Sequence, residues 1–171
     1  MSKKGESHSQ RLKEVCGLFD ELFYSVYRTR LTGGHSEPFY RAPSLDQDGE
    51  IQFTRDYFRS ALHETAHWCV AGEDRLTRDD WGYWYAPDGR DARQQKAFYD
   101  VEVKPQALEW IFCDTCGENF SVSADNLDGS VEGLERFEKN VAKEKSRYLS
   151  VGLPERPAIW VEGLMRAFGS I

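Results

Sequence analysis

Leu62-His63-Glu64-Thr65-Ala66-His67-Trp68-Cys69-Val70 sets two imidazoles four positions apart inside an apolar frame. In a helix, such positions share one face with Cβ atoms roughly 5–6 Å apart. Both rings can then converge on one ion at about 2.0–2.2 Å from each nitrogen. The stretch therefore predicts a rigid, packed helix carrying a metal site, with Glu64 as a carboxylate beside it. Two solvated histidines on a surface helix would be the bland alternative. Against it stand the apolar frame (Leu62, Ala66, Cys69, Val70) and the scarcity of histidine, with four in the chain.

Upstream, Thr54 reads as the N-cap of this helix, which runs to about Ala71 and stops at Gly72. Glu50-Ile51-Gln52-Phe53 alternates as a short strand after the turn Asp46-Gln47-Asp48-Gly49. Glu37 to Pro43 is extended and bounded by proline, and Thr32-Gly33-Gly34-His35 breaks a preceding helix. That helix spans about Gln10 to Arg28, with Leu12, Val15, Cys16, Phe19, Leu22, Phe23, Val26 and Tyr27 on one apolar stripe. Residues 1–9 form a polar, flexible tail.

Downstream, Trp81-Gly82-Tyr83-Trp84-Tyr85-Ala86-Pro87-Asp88-Gly89-Arg90 is an aromatic cluster that suits a core strand and turn, or a wall for an ammonium group. A helix follows to about Tyr99, then a short extended piece, Val101-Glu102-Val103. Lys104-Pro105 opens another helix. Two further helices cover about Val131 to Leu149 and Pro157 to Phe168, after an extended run from Phe120. With 171 residues and 40% hydrophobic content, the chain can bury one core. The expected fold class is α+β: one compact, mainly helical domain over residues 1–171, with a small β-sheet and a metal-binding helix.

A catalytic metal site needs a third protein ligand and open positions. Glu109, on the helix after Pro105 among Leu108, Trp110 and Ile111, is a carboxylate that burial would penalise unless a cation neutralised it. Glu102 is the competing choice, and His35 a more remote one. Cys113-Asp114-Thr115-Cys116 has C-x-x-C spacing, but Cys16 and Cys69 stand alone and cannot complete a second pair. These thiols read as buried and inert. The net charge of −7 disfavours nucleic acid and membrane surfaces. With neither signal peptide nor spanning segment in evidence, the expected location is the cytoplasm.

Several blocks together carry a resemblance: Ala61 to Glu64 with Ala66 to Cys69, Trp81 to Tyr85 with Pro87 to Arg90, Val101 to Ala107, Asp125-Asn126-Leu127, and Pro154 to Ala158. The chain resembles the bacterial elongation factor P hydroxylases over nearly its whole length. The resemblance implies an iron-dependent, monooxygenase-type enzyme that hydroxylates the β-lysylated lysine of elongation factor P. It also implies a metal held by two histidines and a carboxylate, mapped onto His63, His67 and Glu109. The Cys113/Cys116 pair belongs to no block of that pattern.

Two histidines and a carboxylate on one side of Fe(II) leave room for molecular oxygen as co-substrate. Zinc is the alternative occupant in purified protein. Glu64 is the expected proton-handling residue, while Tyr83, Tyr85, Asp88 and Glu102 are candidates to receive the lysyl ammonium groups. An acidic partner would need a local basic patch, for which Arg75, Arg78, Arg90, Arg93 and Lys96 are available. The short motif alone fits a zinc metallopeptidase equally well, with Glu64 as general base. A binding module with a closed, structural metal shell is a third reading.

Overall fold

Helix α1 (Lys3–Tyr27) buries Leu12, Val15, Phe19 and Phe23 of the stripe that the sequence periodicity marks, with Leu18 beside them, while Val26 at the end of that stripe is exposed. The computed structural model describes residues 3–80, 89–126 and 132–169. The helix begins at Lys3, ahead of the expected start near Gln10, because polar residues extend a helix without needing an apolar partner. Most of the segment expected as a flexible tail is thus helical.

Three strands follow: β1 (Thr29–His35), β2 (Phe39–Arg41) and β3 (Gly49–Thr54), in the order β1-β3-β2. β3 pairs parallel with β1, Leu31 opposite Ile51, and antiparallel with β2, Tyr40 opposite Ile51. The Thr32-Gly33-Gly34 run is strand rather than helix breaker alone. A Cβ at Gly33 would lie 2.6 Å from the Phe53 ring, so glycine is what lets that ring pack over the neighbouring strand. Thr54 is the last residue of β3, opposite His35, and so does not cap the next helix.

That helix is α2 (Phe58–Val70), entered from Tyr57 without a side-chain cap. It buries Phe58, Ala61, Leu62, Thr65, Ala66, Trp68 and Cys69. Its last turn is held from outside by Arg156, which donates to the carbonyls of Trp68 (2.8 Å) and Ala71. These are the terminal acceptors that a helix cannot satisfy itself. A short turn of helix, α3 (Glu73–Leu76), comes next.

α4 (Ala92–Cys116) is one continuous helix where the sequence pattern predicts a helix, a strand and a second helix. It opens with a reciprocal capping box between Asp91 and Gln94 and closes at Gly117, whose φ of 68° only glycine adopts readily. Val101-Glu102-Val103 is helical despite two β-branched residues, and Pro105 lies inside the helix despite its missing N–H. Packing prevails over local propensity here: Glu102, Pro105, Gln106, Ala107, Leu108 and Glu109 are all buried.

α5 (Leu134–Val151) and α6 (Glu155–Phe168) complete the helical layer. Gly163 of α6 sits close against α1, where a Cβ would meet Leu22 at 2.6 Å. Trp160 is fully buried, with its ring 5.7 Å from Phe19 and 6.2 Å from Phe23, and Trp68 joins the same cluster. One face of α2 is thereby clamped into the core while the other is left for the histidines. Trp160→Ala is expected to cost about 3–5 kcal/mol, read as a drop in the denaturant midpoint at unchanged slope.

Candidate metal centre

His63 and His67 project from one face of α2 toward α4. Their Nε2 atoms are 3.1 Å apart. Glu102, from α4, places Oε1 3.0 Å from Nε2 of His67 and Oε2 3.9 Å from Nε2 of His63. These three residues form the one metal-competent group among the described residues, with their ligand atoms all within 4.8 Å of one another.

Ligand atoms about 2.1 Å from one ion and at right angles to each other lie about 3 Å apart. The His63–His67 and His67–Glu102 separations have this length, while the approach of Glu102 to His63, nearest through its other oxygen, is wider. The donor set thus fits a single small cation bound on one side.

Glu109 occupies a different place from the one the sequence assigned it. Its Oε2 lies 2.8 Å from Nδ1 of His63, on the far side of the ring from the Nε2 cluster. Glu102 and Glu109 are only 3% and 4% exposed. Gln106 donates to Oε2 of Glu102 (3.2 Å) and to the Ser123 carbonyl (2.9 Å), while its own oxygen accepts from the Ser123 amide (3.0 Å). Arg59 of α2 donates to Oε1 of Glu109 from Nη2 (2.6 Å) and Nε (3.2 Å).

The protonation of the metal-free chain follows from these pairings. Withdrawal from solvent works against charge on His63, but the carboxylate of Glu109 and, behind it, Glu102 outweigh this and push its pKa up to about 10. His67 moves the same way, with burial again overcome by Glu102. Burial would raise Glu102, yet the two imidazoles bring it down to about 2. Glu109 is likewise lowered, by His63 and Arg59 against its burial. Glu64 behaves oppositely: burial raises its pKa and the imidazoles only partly offset that. Among the described residues, no hydrogen bond reaches its carboxyl group.

A cavity of about 1410 Å³ opens over the centre, lined among others by Glu64, Tyr57, Asp100 and Val101. Pockets for small ligands typically span about 300–1,000 Å³, so this space is larger than such a pocket.

The family described as Elongation factor P hydroxylase matches residues 18–171. The chain belongs to this family. It is also 43% identical over 148 residues to the elongation factor P lysine hydroxylase of Haemophilus influenzae, covering 85% of this chain and 83% of that relative. The zinc metallopeptidase alternative finds no support in either match.

In this member of the hydroxylase family, other expected residues are dispersed. Tyr83, Tyr85 and Asp88 lie outside the described residues. His35 stands apart at the end of β1, its Nε2 3.1 Å from Thr32 Oγ1. Arg90 leaves the expected basic patch altogether: it is 1% exposed and donates to Gln95 (2.9 Å) and to the carbonyls of Ala124 (2.9 Å) and Asp125. Arg75 and Lys96 are paired with Asp80 and Asp100. Cys113 and Cys116 are buried free thiols. Arg59 and Gln106 escaped the sequence pattern, although Gln106 lies four positions after Glu102 and Arg59 four before His63, the spacing at which helical side chains meet.

His63 is cationic at pH 7 in the metal-free chain, so an ion reaching its Nε2 must displace a proton. Zinc titration at pH 7 is expected to release at least one proton per ion, and affinity is expected to fall as pH is lowered. Calorimetry in two buffers of different ionisation heat measures the release.

Proposed function

We propose that this chain is an iron-dependent hydroxylase that adds a hydroxyl group to the β-lysylated lysine of elongation factor P in the cytoplasm. The observation that carries this reading is the convergence of two imidazole nitrogens and a buried carboxylate oxygen at the floor of an open cavity. Family membership and the name of the Haemophilus influenzae relative supply the reaction class and the protein acted upon. His63, His67 and Glu102 are the ligands of this proposal, in place of the Glu109 set expected from sequence. Fe(II) held there supplies activation of molecular oxygen, which no side chain can provide.

The chain's own residues perform the remaining tasks. The open cavity gives the acylated lysine access to the centre, and acidic residues of its lining such as Glu64 and Asp100 suit the ammonium groups of that side chain. Gln106 holds the Glu102 carboxylate in line with the imidazoles. Glu64, with its pKa raised and no hydrogen bond formed among the described residues, is suited to exchange a proton with the bound substrate or water. The overall balance is that of a monooxygenase: one oxygen atom enters a C–H bond, and the other leaves as water with two electrons and two protons from a reductant. Among the described residues no helix is long and apolar enough to cross a membrane, and the acidic balance gives no attraction for nucleic acid.

Iron-loaded protein incubated with lysylated elongation factor P, oxygen and a reductant is expected to add one oxygen atom at the modified lysine, read by mass spectrometry. Zinc-loaded protein is expected to add none. Peptide cleavage, or an unchanged substrate mass with iron, would overturn the proposal. Glu64→Gln is expected to keep its iron and lose turnover by roughly 10²–10⁴-fold, whereas Glu102→Ala is expected to lose the iron itself, measured by metal analysis.

A further inference from the structure

Arg59 spends its hydrogen-bonding capacity in an unusual way for a half-exposed arginine. Its Nη2 and Nε both donate to Oε1 of Glu109, at 2.6 and 3.2 Å. Nη2 also donates to the Ser121 carbonyl at 3.2 Å, and the guanidinium stands 5.5 Å from the Phe120 ring. Phe120 in turn stacks on Trp110 of α4, ring centres 4.9 Å apart. The guanidinium is therefore fixed from three directions: the α4 carboxylate, the backbone after α4, and an aromatic stack.

This arrangement divides the two oxygens of Glu109. Oε1 is taken by Arg59, so only Oε2 is free to face Nδ1 of His63, where it lies at 2.8 Å. An imidazole that donates its Nδ1 proton to a carboxylate has its lone pair on Nε2, and its ring cannot rotate without breaking that bond. Nε2 is the atom facing His67 and Glu102. Surface ion pairs contribute little because both partners are hydrated and mobile. Here one partner is 5% exposed and the other is tethered by further contacts.

We infer that Arg59 is a positioning residue for the metal ligand His63, acting through Glu109 to set the tautomer and direction of the ring. The inference rests on the proposed ligand set of His63, His67 and Glu102. It makes Glu109 a support of the site rather than a ligand, and it adds a residue that touches neither ion nor substrate.

The test uses zinc-loaded full chain, compared across Arg59→Met, Arg59→Lys, Glu109→Gln and the Arg59→Met/Glu109→Gln double variant. Zinc affinity is read by competition with a chromophoric chelator, and the His63 ring by long-range proton–nitrogen spectra. Loss of such an outer partner typically weakens metal binding about 10–100-fold. Arg59→Met and Glu109→Gln are each expected to fall in that range and to shift the Nδ1 resonance of His63. Arg59→Lys is expected to recover part of the affinity. The double variant is expected to be no worse than Glu109→Gln alone, since the two residues act in series. Wild-type affinity and an unmoved Nδ1 resonance in Arg59→Met would overturn the inference, as would additive losses in the double variant. Glu102→Gln separates this from failure of the ligand set. Should Glu109→Gln abolish zinc binding while Glu102→Gln retains it, the ligand assignment itself falls.

Discussion

Two carboxylates buried on one side of a single helix must be neutralised, and most of the architecture around the centre follows from that need. An uncompensated carboxylate withdrawn from water costs several kcal/mol even after the surroundings relax. α4 carries two, Glu102 and Glu109, separated by two helical turns. The facing helix supplies two imidazoles and a guanidinium on its own matching turns: Arg59, His63 and His67. The α2–α4 pairing is therefore electrostatic along one seam and apolar along the next. Each acid faces two of these cationic groups, so removing one halves the counter-charge of a carboxylate that water cannot reach.

Rigidity of the centre comes from the opposite side of α2. Trp68, beside His67 in sequence, turns into the cluster of Phe19, Phe23, Tyr27 and Trp160, so the imidazole and the indole point to different faces of one turn. Arg156 ties off the helix end from α6. The stretch after α4 runs without a sheet partner, yet its backbone is bonded by side chains: Arg59 to Ser121, Gln106 to Ser123, and Gln95 and Arg90 to Ala124. Four polar side chains thus do for this strap what a neighbouring strand would otherwise do, and two of them also support the centre.

The histidine-bearing helix was legible from sequence because its signal is local: histidines at i and i+4 in an apolar frame need no knowledge of the rest of the chain. The three-stranded sheet was legible in two of its strands, where alternation and turn residues are adjacent. β1 was not, because Gly33 answers to the Phe53 ring arriving from a distant strand. The placement of the two carboxylates was not legible for a related reason. Val101, Val103 and Pro105 each argue locally against helix, so Glu102 was placed on an extended piece and Glu109 on a separate helix. Read as one helix, positions 102 and 109 share a face, and both acids reach the imidazoles. Only the buried surroundings of that stretch reveal that packing overrides three unfavourable residues. Arg59 shares the helix face of His63 four positions on, but its acidic partner lies fifty positions away, so the sequence marked the face and not the pairing.

The four free thiols share one electrostatic state, set by the burial that surrounds them. Cys69 is two positions after His67 on the core face of α2, and Cys113 is one turn beyond Glu109 on α4. Burial pushes the thiol of Cys69 far up, Cys113 and Cys116 up to about 12, and Cys16 up to about 11. The raised values favour the neutral S–H form at all four at neutral pH, and it is the thiolate that is the nucleophile. The fold thereby keeps its sulfur poorly nucleophilic, so an alkylating reagent meets thiols rather than thiolates at all four positions.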